Sequence, residues 1–408
     1  MKPPKLLHVI GLSGIGGMEQ KFRFYLKESS GRGRAEHHLL LRGRPPHTQL
    51  REDIYAHAAS VQLDRYRLGL KLPRRPKSLR LSNFARAVRR VHPDAVVIWN
   101  RFGEHELIHA VTSASQAPVV HCECGGAWHE TSAQNGEAYL ADVSAMWCAS
   151  NACRRFLELR WGWKGKPTLV LNCLRPDCRP RTVEPKTLSS EGRIKLGMAA
   201  RTVPAKGICL AVHALKSLRD SGYDAELLVA GGGISKEKSK LQRLVRQREL
   251  TGHVTLHGTI SDMPGFYGNI DILLSPSIRE PFGSVCLEAS AFGCVVVAGR
   301  VDGLTEAVEG GVTGLCLAPT LPIAEYPKFG GTLRGLPELV YDPASDKLVQ
   351  LSFVSPEAIA TAVAQLIESP GTYERMSSAA LSRVESSFLF SDYVDGLDEL
   401  FAATAAGA

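Results

Sequence analysis

Two glutamates, Glu280 and Glu288, are spaced so that both can contact one ligand. The segment Glu280-Pro-Phe-Gly-Ser-Val-Cys-Leu-Glu288 follows an apolar run that ends at Leu274 and is typical of a buried strand. From Ser284 to Gly293 the pattern predicts a helix, which places Glu288 roughly 6 Å along the helix axis. Amides at a helix N-terminus stabilise an anion. Carboxylates on both sides of an anion suit a ligand with hydroxyls at its ends and phosphate between them, such as a nucleotide-sugar.

The same spacing also has an ordinary structural interpretation. Any strand–loop–helix unit can carry two glutamates eight residues apart without binding a ligand. The two glutamates therefore indicate a ligand site only if other parts of the chain supply matching residues.

The length and composition are those of a globular α/β protein. The 408 residues predict two to three domains. No apolar run reaches the roughly 20 residues that span a bilayer, and the first run leads into a glycine turn, so it predicts a strand and not a signal peptide. The ten cysteines include no C-x-x-C pair, which favours buried thiols in a reducing cytoplasm over a disulfide framework.

Positive charge is concentrated near the N-terminus. Residues 1–100 hold 20 Lys and Arg against 7 Asp and Glu, a net charge of +13, whereas the remaining residues hold 29 against 34. The basic region, defined here as Arg65 to Arg90, contains ten basic residues and no acidic one. Such a region suits contact with an anionic membrane or with nucleic acid, and a solvated face is the alternative.

A glycine-rich turn, Ser13-Gly-Ile-Gly-Gly-Met-Glu19, follows a first predicted strand over Lys5–Leu12. Gly14 and Gly16 match the first two glycines of the dinucleotide fingerprint G-x-G-x-x-G, but Glu19 occupies the third position. This mismatch argues against a dinucleotide-dependent oxidoreductase. Amides at the start of the following helix still favour a phosphate or another close ligand, and a tight strand-to-helix turn is the structural alternative.

Strands alternate with helices through the first half, which predicts a parallel sheet whose ligands lie beyond the carboxyl ends of its strands. Strands predicted over Ala95–Trp99 and Pro118–His121 are each followed by a polar loop. These loops supply the cleft candidates Asn100, Arg101, Glu104, Glu123, Trp128 and His129. A zinc site in this part of the chain would use His121, Cys122, Cys124 and His129. Such a site is disfavoured because the C-x-C spacing of Cys122 and Cys124 is poor for tetrahedral zinc.

A second α/β alternation begins at Ile194, after a linker at residues 175–191 that is rich in Pro, Arg, Thr and Ser. We therefore predict two Rossmann-like domains, residues 1–180 and 190–386, that face a central cleft. Residues 318–355 form a proline-rich insertion that breaks the pattern. A connection of this length is usually functional or mobile.

The second half resembles the family 4 retaining glycosyltransferases of the GT-B fold. The donor domains of that family combine G-R-x-x-x-x-K-G, G-G-G, F-x-G-x-x and E-P-F-G-x-x-x-x-E after successive strands. The matching residues here are Arg201, Lys206, Gly231–Gly233, Gly258, Glu280 and Glu288.

The resemblance covers about residues 190–320 and includes departures. Ala200 replaces the usual glycine before arginine. In the first half the resemblance rests on Gly16-Gly17-Met-Glu19 and on Asn172. The segment Asn172-Cys-Leu departs from the N-G-V/I-D hinge that is usual in the family. Cys124 stands where many members have a histidine.

The resemblance implies a role for each residue. Arg201, Lys206 and Glu280 would be catalytic: the two cations would stabilise the departing diphosphate without a metal or other cofactor, and Glu280 would contact the transferred sugar. Glu288 would bind the ribose. The remaining donor contacts would come from Gly16, Gly17, Gly258, Thr259, Phe282, Gly283, Ser284 and Val285.

The resemblance also implies how the C-terminal helix is placed and which domain binds the acceptor. A C-terminal helix, residues 387–408, would cross back to the N-terminal domain. That domain would bind the acceptor, with Asn100, Arg101, Glu104, Glu123 and His129 as candidates.

The implied activity is transfer of a hexose-type sugar, with retention of anomeric configuration, from a nucleotide-sugar in which UDP is favoured over GDP. The expected acceptor is a lipid-linked or cell-surface glycan, such as a bacterial lipopolysaccharide, capsule or exopolysaccharide precursor. The basic region favours a cytoplasmic enzyme peripheral to the inner face of the membrane. The alternatives are a soluble transferase for a small metabolite or natural product and a non-catalytic sugar-nucleotide-binding protein; nucleic acid is not an expected partner.

Overall fold

The computed structural model describes residues 2–67, 70–73, 75–165, 167–188 and 192–407 and divides into two compact units. Unit 1 consists of Met1–Arg175 and Phe390–Ala408, and unit 2 consists of Pro176–Leu389. The division therefore falls within the predicted linker. Some predictions extend beyond the described residues: Leu68, Gly69 and Arg74 of the basic region, residues 189–191 of the linker and Ala408 of the C-terminal helix lie outside them.

Unit 1 is built on short, largely apolar strands. They are β1 (Lys5–Ile10), β2 (Glu36–Leu41), β3 (Ser60–Leu63), β4 (Tyr66–Arg67), β5 (Leu70–Lys71), β6 (Ala95–Trp99), β7 (Val119–Glu123), β8 (Ala145–Cys148) and β9 (Thr168–Leu169). The main sheet is parallel, in the order β3-β2-β1-β6-β7-β8-β9, and β4 pairs with β5. Every residue of β6 is buried, as expected for a parallel strand covered on both faces.

The helices of unit 1 connect these strands. They are α1 (Gly17–Gly31), α2 (Thr48–His57), α3 (Lys77–Val91), α4 (His105–Thr112), α5 (Ala133–Ala141) and α6 (Asn151–Trp161). The prediction missed α2, whose polar sequence buries only Leu50 and Ile54, and it missed α5. The strand predicted to end at His121 continues to Glu123, so Cys122 and Glu123 belong to β7 and not to the following loop.

Unit 2 contains a second parallel sheet. Its strands are β10 (Ile194–Ala199), β11 (Ala225–Ala230), β12 (Val254–Gly258), β13 (Ile272–Ser275), β14 (Val295–Gly299) and β15 (Gly314–Leu317), in the order β12-β11-β10-β13-β14-β15. Its helices are α7 (Ile208–Asp220), α8 (Ser235–Gln247), α9 (Met263–Asn269), α10 (Ser284–Ser290), α11 (Leu304–Ala307), α12 (Pro356–Glu368) and α13 (Pro370–Ser387). Among the helices of the described chain, none combines the length and apolar character needed to span a bilayer.

The insertion at residues 318–355 is folded. It contains β16 (Leu321–Pro322), a 3-10 helix over Ile323–Phe329, β17 (Leu339–Asp342), β18 (Lys347–Gln350) and β19 (Ser352–Phe353). β16 pairs with β19 and β17 with β18, both antiparallel. Alternation is hard to recognise in strands of two to four residues, which explains why the sequence indicated only a break.

The predicted linker packs against unit 2. The Lys186 side chain donates hydrogen bonds to the carbonyls of Tyr267 (3.0 Å) and Gly268 (3.2 Å), near the end of α9, and also to that of Ile270. A cation beside the last carbonyls of a helix is favourable. Part of the linker is therefore fixed by specific contacts.

The C-terminal helix α14 (Phe390–Ala406) belongs to unit 1. It buries Tyr393, Val394, Leu397 and Phe401, a spacing that places one apolar stripe against the unit. A Cβ at Gly396 would lie 2.8 Å from the Val170 side chain, so glycine permits this close packing.

Buried polar groups connect β1 with α14. Trp99 Nε1 donates to His8 Nδ1 (3.2 Å), which leaves His8 Nε2 to donate to His37 Nδ1 (2.9 Å). His37 Nε2 then contacts Ser29 Oγ (3.0 Å), and that hydroxyl donates to Asp398 Oδ1 (2.7 Å). Each donor meets an acceptor only when both histidines are neutral.

Acidification should therefore destabilise unit 1. Burial lowers the pKa of His37 to about 4, and burial with the adjacent His37 lowers the pKa of His8 well below 6.5. The unfolded chain binds a proton near pH 6.5 and the folded His37 only near pH 4, so stability falls as pH falls between these values, by up to about 1.4 kcal/mol per pH unit for each such histidine.

All five tryptophans lie in unit 1, so their fluorescence reports its urea unfolding midpoint. We expect His37→Gln to reduce the dependence of this midpoint on pH between 7.5 and 5, and His109→Gln, at an exposed site, to leave it unchanged. An unaltered dependence in His37→Gln would contradict this interpretation of the network.

Candidate functional site

Loops that follow β10, β11 and β12 meet at the carboxyl edge of the second sheet. Thr202 N donates to Gly232 O (2.8 Å), and Gly231 N donates to Gly258 O (2.7 Å). A Cβ at Gly231, whose φ is +141°, would lie 2.1 Å from Ala200 O. Close backbone approach therefore requires glycine at position 231, and the backbone hydrogen bonds keep the loops in contact.

Lys206 and Glu280 form an ion pair at the same edge, between Lys206 Nζ and Glu280 Oε2. The Lys206 side chain is 20% exposed and the Glu280 side chain 13% exposed. The sequence singled out both residues for different contacts with a ligand. The structure places the two opposite charges against each other.

Backbone contacts bring the two loops together. Lys206 ends a 3-10 turn that begins at Pro204, and Ile278 N donates to Ala205 O (2.8 Å). Gly207 follows with φ +64°, and a Cβ there would lie 2.2 Å from Pro276 O. Only glycine fits this approach and this backbone conformation.

Asp302 holds the backbone of Glu280. Its fully buried carboxylate accepts from Glu280 N (3.0 Å, Oδ2) and from Tyr341 N (2.8 Å, Oδ1). Gly303 N donates to Glu280 O (3.1 Å), so both backbone groups of Glu280 are bonded. Sequence reasoning missed Asp302, because a single aspartate 22 residues from its partner gives no spacing signal.

Glu288 lies in the middle of α10 and is only 4% exposed. Tyr267 Oη donates to its Oε2 at 2.7 Å, and this partner on α9 was not predicted. Helix α10 begins at Ser284 after Gly283 (φ +93°), and its first turn has no side-chain cap. Phe282 is buried against Phe388, with ring centroids 6.0 Å apart.

The other predicted donor contacts are distributed over both units. In unit 2, Arg201 and Thr259 are exposed, whereas Ser284, Val285 and Gly258 are half-buried. In unit 1, Gly16 precedes α1, and a Cβ there would lie 2.8 Å from Glu19 Oε2, while Gly17 is exposed.

Three acceptor-side candidates follow β6. Asn100 adopts φ +53°, a left-handed conformation that asparagine tolerates better than most residues and that often marks functional loops. Arg101 Nη1 lies 3.3 Å from Glu104 Oε1, and Arg42 donates to Glu104 Oε2 (2.8 Å). Arg42 was not predicted, although it follows β2 and could have been identified as a strand-end cation.

A cavity of about 350 Å³ lies beside this cluster in unit 1. Arg80 donates to the fully buried Asp64 (2.7 Å), and the Arg42 guanidinium lies 5.1 Å from the Phe84 ring centroid. Part of the basic region therefore turns inward. The cavity is lined by Arg42, Lys77, Arg80, Leu81, Phe84, Gly103, Glu104, His105, Glu106, Leu107 and Asn135.

Glu123 and Trp128 are corrected from ligand-contacting candidates to internal residues. Glu123 is fully buried, and its carboxylate accepts from the amides of Gly125 and Ala127 and contacts His121 Nε2 (3.1 Å). Trp128 is 2% exposed and stacks on Phe156. His129 lies on the surface.

His121, one residue of the alternative zinc site, is engaged within unit 1. His121 Nδ1 contacts Tyr139 Oη (2.8 Å) while its Nε2 contacts Glu123, so both ring nitrogens are engaged. Burial raises the pKa of the Cys122 and Cys124 thiols, which disfavours the thiolate that zinc requires. Across the described ranges, no group of three or more His, Cys, Asp or Glu side chains could hold a metal ion.

Comparison with known proteins finds a sequence similarity within the second unit. Residues 181–325, a little over a third of the chain, match the family model for glycosyl transferases group 1. D-inositol 3-phosphate glycosyltransferase of Arthrobacter sp. (strain FB24) is 34% identical over 36% of this chain and 36% of its own length. 2-Deoxystreptamine glucosyltransferase of Streptomyces kanamyceticus is 33% identical over 38% of this chain and 39% of its own length. The chain thus spans somewhat more than a third of the curated relatives that it matches.

Solved structures extend the likeness to the whole fold. The Anabaena HepE structure in complex with UDP and glucose covers 98% of this chain and 100% of its own, with a TM-score of 0.73 and 15% identity. A glycosyltransferase from Rickettsia africae covers 100% of both chains, with a TM-score of 0.74 and 15% identity. The predicted α/β fold of the GT-B class, with two parallel sheets, is confirmed.

Removal of the Tyr267 hydroxyl should destabilise unit 2. Tyr267→Phe leaves the buried Glu288 carboxylate without one hydrogen bond, which costs about 1–3 kcal/mol of unfolding free energy. Tyr223→Phe is the control because its hydroxyl contacts Glu368 at an exposed site, where a loss below about 0.5 kcal/mol is expected. Denaturation followed by circular dichroism measures both; equal losses would contradict the assignment.

Proposed function

We propose that the protein is a retaining hexosyltransferase that uses a nucleotide-sugar donor, with UDP as the favoured nucleotide. The observation that carries the proposal is the Lys206–Glu280 ion pair at the carboxyl edge of the second sheet, beside the glycine loops. Parallel α/β sheets bind ligands at this edge. The group 1 match of residues 181–325 and the UDP and glucose of the Anabaena neighbour support it.

Each charge in the site has a task in this reaction. Arg201 and Lys206 bind the diphosphate and stabilise the negative charge that develops as the nucleoside diphosphate departs. No metal ion is needed because these cations supply the positive charge. Glu280 accepts hydrogen bonds from the transferred sugar, and Glu288 from the ribose. In the absence of a donor, Lys206 and Glu280 neutralise each other.

A thermal-shift panel of UDP-, GDP-, ADP- and dTDP-sugars tests donor binding. A ligand at 100 times its dissociation constant stabilises the folded state by about 2.7 kcal/mol. We expect stabilisation by at least one of these ligands, and UDP-sugars to be the most effective. No shift with any of them would contradict the proposal.

Substitution of the ion pair tests catalysis. Lys206→Ala and Glu280→Ala should each reduce turnover about 10²–10³-fold, because each removes a transition-state contact. Lys216→Ala is a matched control, since Lys216 pairs with Asp220 on α7. Turnover close to wild type in either ion-pair variant would disprove that residue's role, and donor binding without any transfer or donor hydrolysis would favour the non-catalytic alternative.

We further propose a lipid-linked or cell-surface glycan acceptor, reached from the cytoplasmic face of a membrane. The support is the net charge of +13 over residues 1–100 together with apolar side chains beside exposed cations. Leu70 is 75% exposed next to Lys71, and Leu79 is 39% exposed near Arg75 and Lys77. A surface of this kind binds anionic lipid by charge and inserts apolar groups.

A small-molecule acceptor is the second candidate. It is favoured by the likeness to a 2-deoxystreptamine glucosyltransferase, whose named acceptor is a small aminocyclitol. The cavity beside Arg42 and Glu104 offers charged groups of both signs to such an acceptor.

Sedimentation with liposomes distinguishes the two acceptors. The wild type should sediment with vesicles containing anionic phospholipid and not with neutral phosphatidylcholine. Binding should be lost in the double variant Arg75→Glu and Lys77→Glu, since each cation contributes about 1 kcal/mol, and weakened in Leu70→Asp. Leu159→Asp, at a 42% exposed position on α6, should have no effect. Indifference to anionic lipid, or binding retained after charge reversal, would exclude the membrane surface.

A further inference from the structure

The insertion at residues 318–355 has no role in the activity as proposed above, yet it contacts the turn of Lys206 directly and is connected to the loop of Glu280 through Asp302. Its residues lie within unit 2 and form two small antiparallel pairs around a 3-10 helix. Two of its residues contact loops at the carboxyl edge of the second sheet: Tyr326 bonds to Pro204, and Tyr341 bonds to Asp302.

The first contact supports the turn that carries Lys206. Tyr326 is 1% exposed, and its Oη donates to Pro204 O at 2.7 Å. Pro204 is the first residue of the 3-10 turn that ends at Lys206. Cys209 Sγ, on the following helix α7, lies 3.4 Å from the same hydroxyl. One side chain of the insertion thus bonds to the chain on both sides of Lys206.

The second contact supports the loop that carries Glu280. The Asp302 carboxylate joins Tyr341 N of β17 (2.8 Å) to Glu280 N (3.0 Å). Asp302 N donates in turn to Tyr341 O (2.9 Å), so aspartate and strand exchange two hydrogen bonds. The backbone position of Glu280 is therefore connected to the insertion through one buried carboxylate.

The conformation of Asp302 indicates that its carboxylate matters. Its φ is +46°, in the left-handed region that glycine adopts most readily and that aspartate tolerates better than most residues. A glycine would satisfy the backbone at this position but would leave the amides of Glu280 and Tyr341 without their shared acceptor. The aspartate therefore combines this backbone conformation with two hydrogen bonds that only a side chain can accept.

We propose that the insertion is part of the donor site, and that Tyr326 and Asp302 are positioning residues through which it sets the places of Lys206 and Glu280. This inference rests on the proposed function, because it assigns Lys206 to the diphosphate and Glu280 to the sugar. The alternative is that the insertion only covers the sheet and contributes stability. In that case its loss would affect all parts of the donor equally.

Binding of three related ligands separates the two possibilities. Isothermal titration of the full chain with a nucleoside, its diphosphate and its diphosphate-sugar isolates the contributions of base, phosphate and sugar. Tyr326→Phe should weaken the diphosphate about fivefold relative to the nucleoside, because the turn of Lys206 loses its support. Asp302→Gly should weaken the diphosphate-sugar about fivefold relative to the diphosphate, because Glu280 is displaced. A fivefold change corresponds to about 1 kcal/mol.

The insertion also supplies a matched control. Ser345→Ala removes a hydroxyl that donates to Asp342 inside the β17–β18 hairpin, at an exposed position with no contact to Asp302 among those described. It should leave all three affinities unchanged. Asp302→Asn keeps the side-chain volume and one oxygen, so it should restore part of the contribution of the sugar to binding. This variant replaces Asp302→Gly in the test if Asp302→Gly does not fold.

The outcomes distinguish this inference from the proposed function. A wild type that binds none of the nucleoside diphosphates would overturn both. Wild-type binding with unchanged ratios in folded Tyr326→Phe and Asp302→Gly would overturn the positioning role alone. Uniform weakening of all three ligands, or an equal loss in Ser345→Ala, would show that the insertion acts only on stability.

Discussion

The ion pair between Lys206 and Glu280 is the interaction around which the second unit is arranged. Both side chains are largely withdrawn from solvent, and such charges are stable only where the backbone keeps them in contact. The residues are 74 positions apart, so they meet because β10 and β13 are neighbours in the sheet. The turn before Lys206 and the loop of Glu280 are then supported separately, by Tyr326 and by Asp302.

Buried carboxylates organise the loops of both units in the same way. Glu123, Asp64 and Asp302 are fully buried, and each accepts hydrogen bonds from backbone amides of a loop near a strand end. Loop amides need acceptors when they leave water, and a carboxylate can accept several at once. Of these three residues the sequence indicated only Glu123 as a ligand contact, and its carboxylate holds a loop in place, as that of Asp302 does.

The charges of the first unit divide into two groups. Arg42 and Arg80 turn toward the buried Asp64 and border the cavity, so they belong to the interior of the unit. Lys71 and Arg75 remain exposed near Leu70. The basic region is thus less uniform than its composition indicates: one part organises the carboxyl edge of the sheet, and the other offers a charged surface with an apolar tip.

The sequence by itself determined the elements whose signal is local. Strand Ala95–Trp99 and helix Asn151–Trp161 were predicted to the residue, because apolar spacing along a few turns or pleats specifies them. The spacing of Glu280 and Glu288 singled out Glu280, and the resemblance to the glycosyltransferase motifs added Lys206. Only the tertiary structure decided that these two form an ion pair, that the insertion contacts the turn of Lys206, and that Asp302 connects the insertion to the loop of Glu280. Those contacts join residues 22 to 122 positions apart, and which residues meet over such distances depends on strand order and packing of the whole unit.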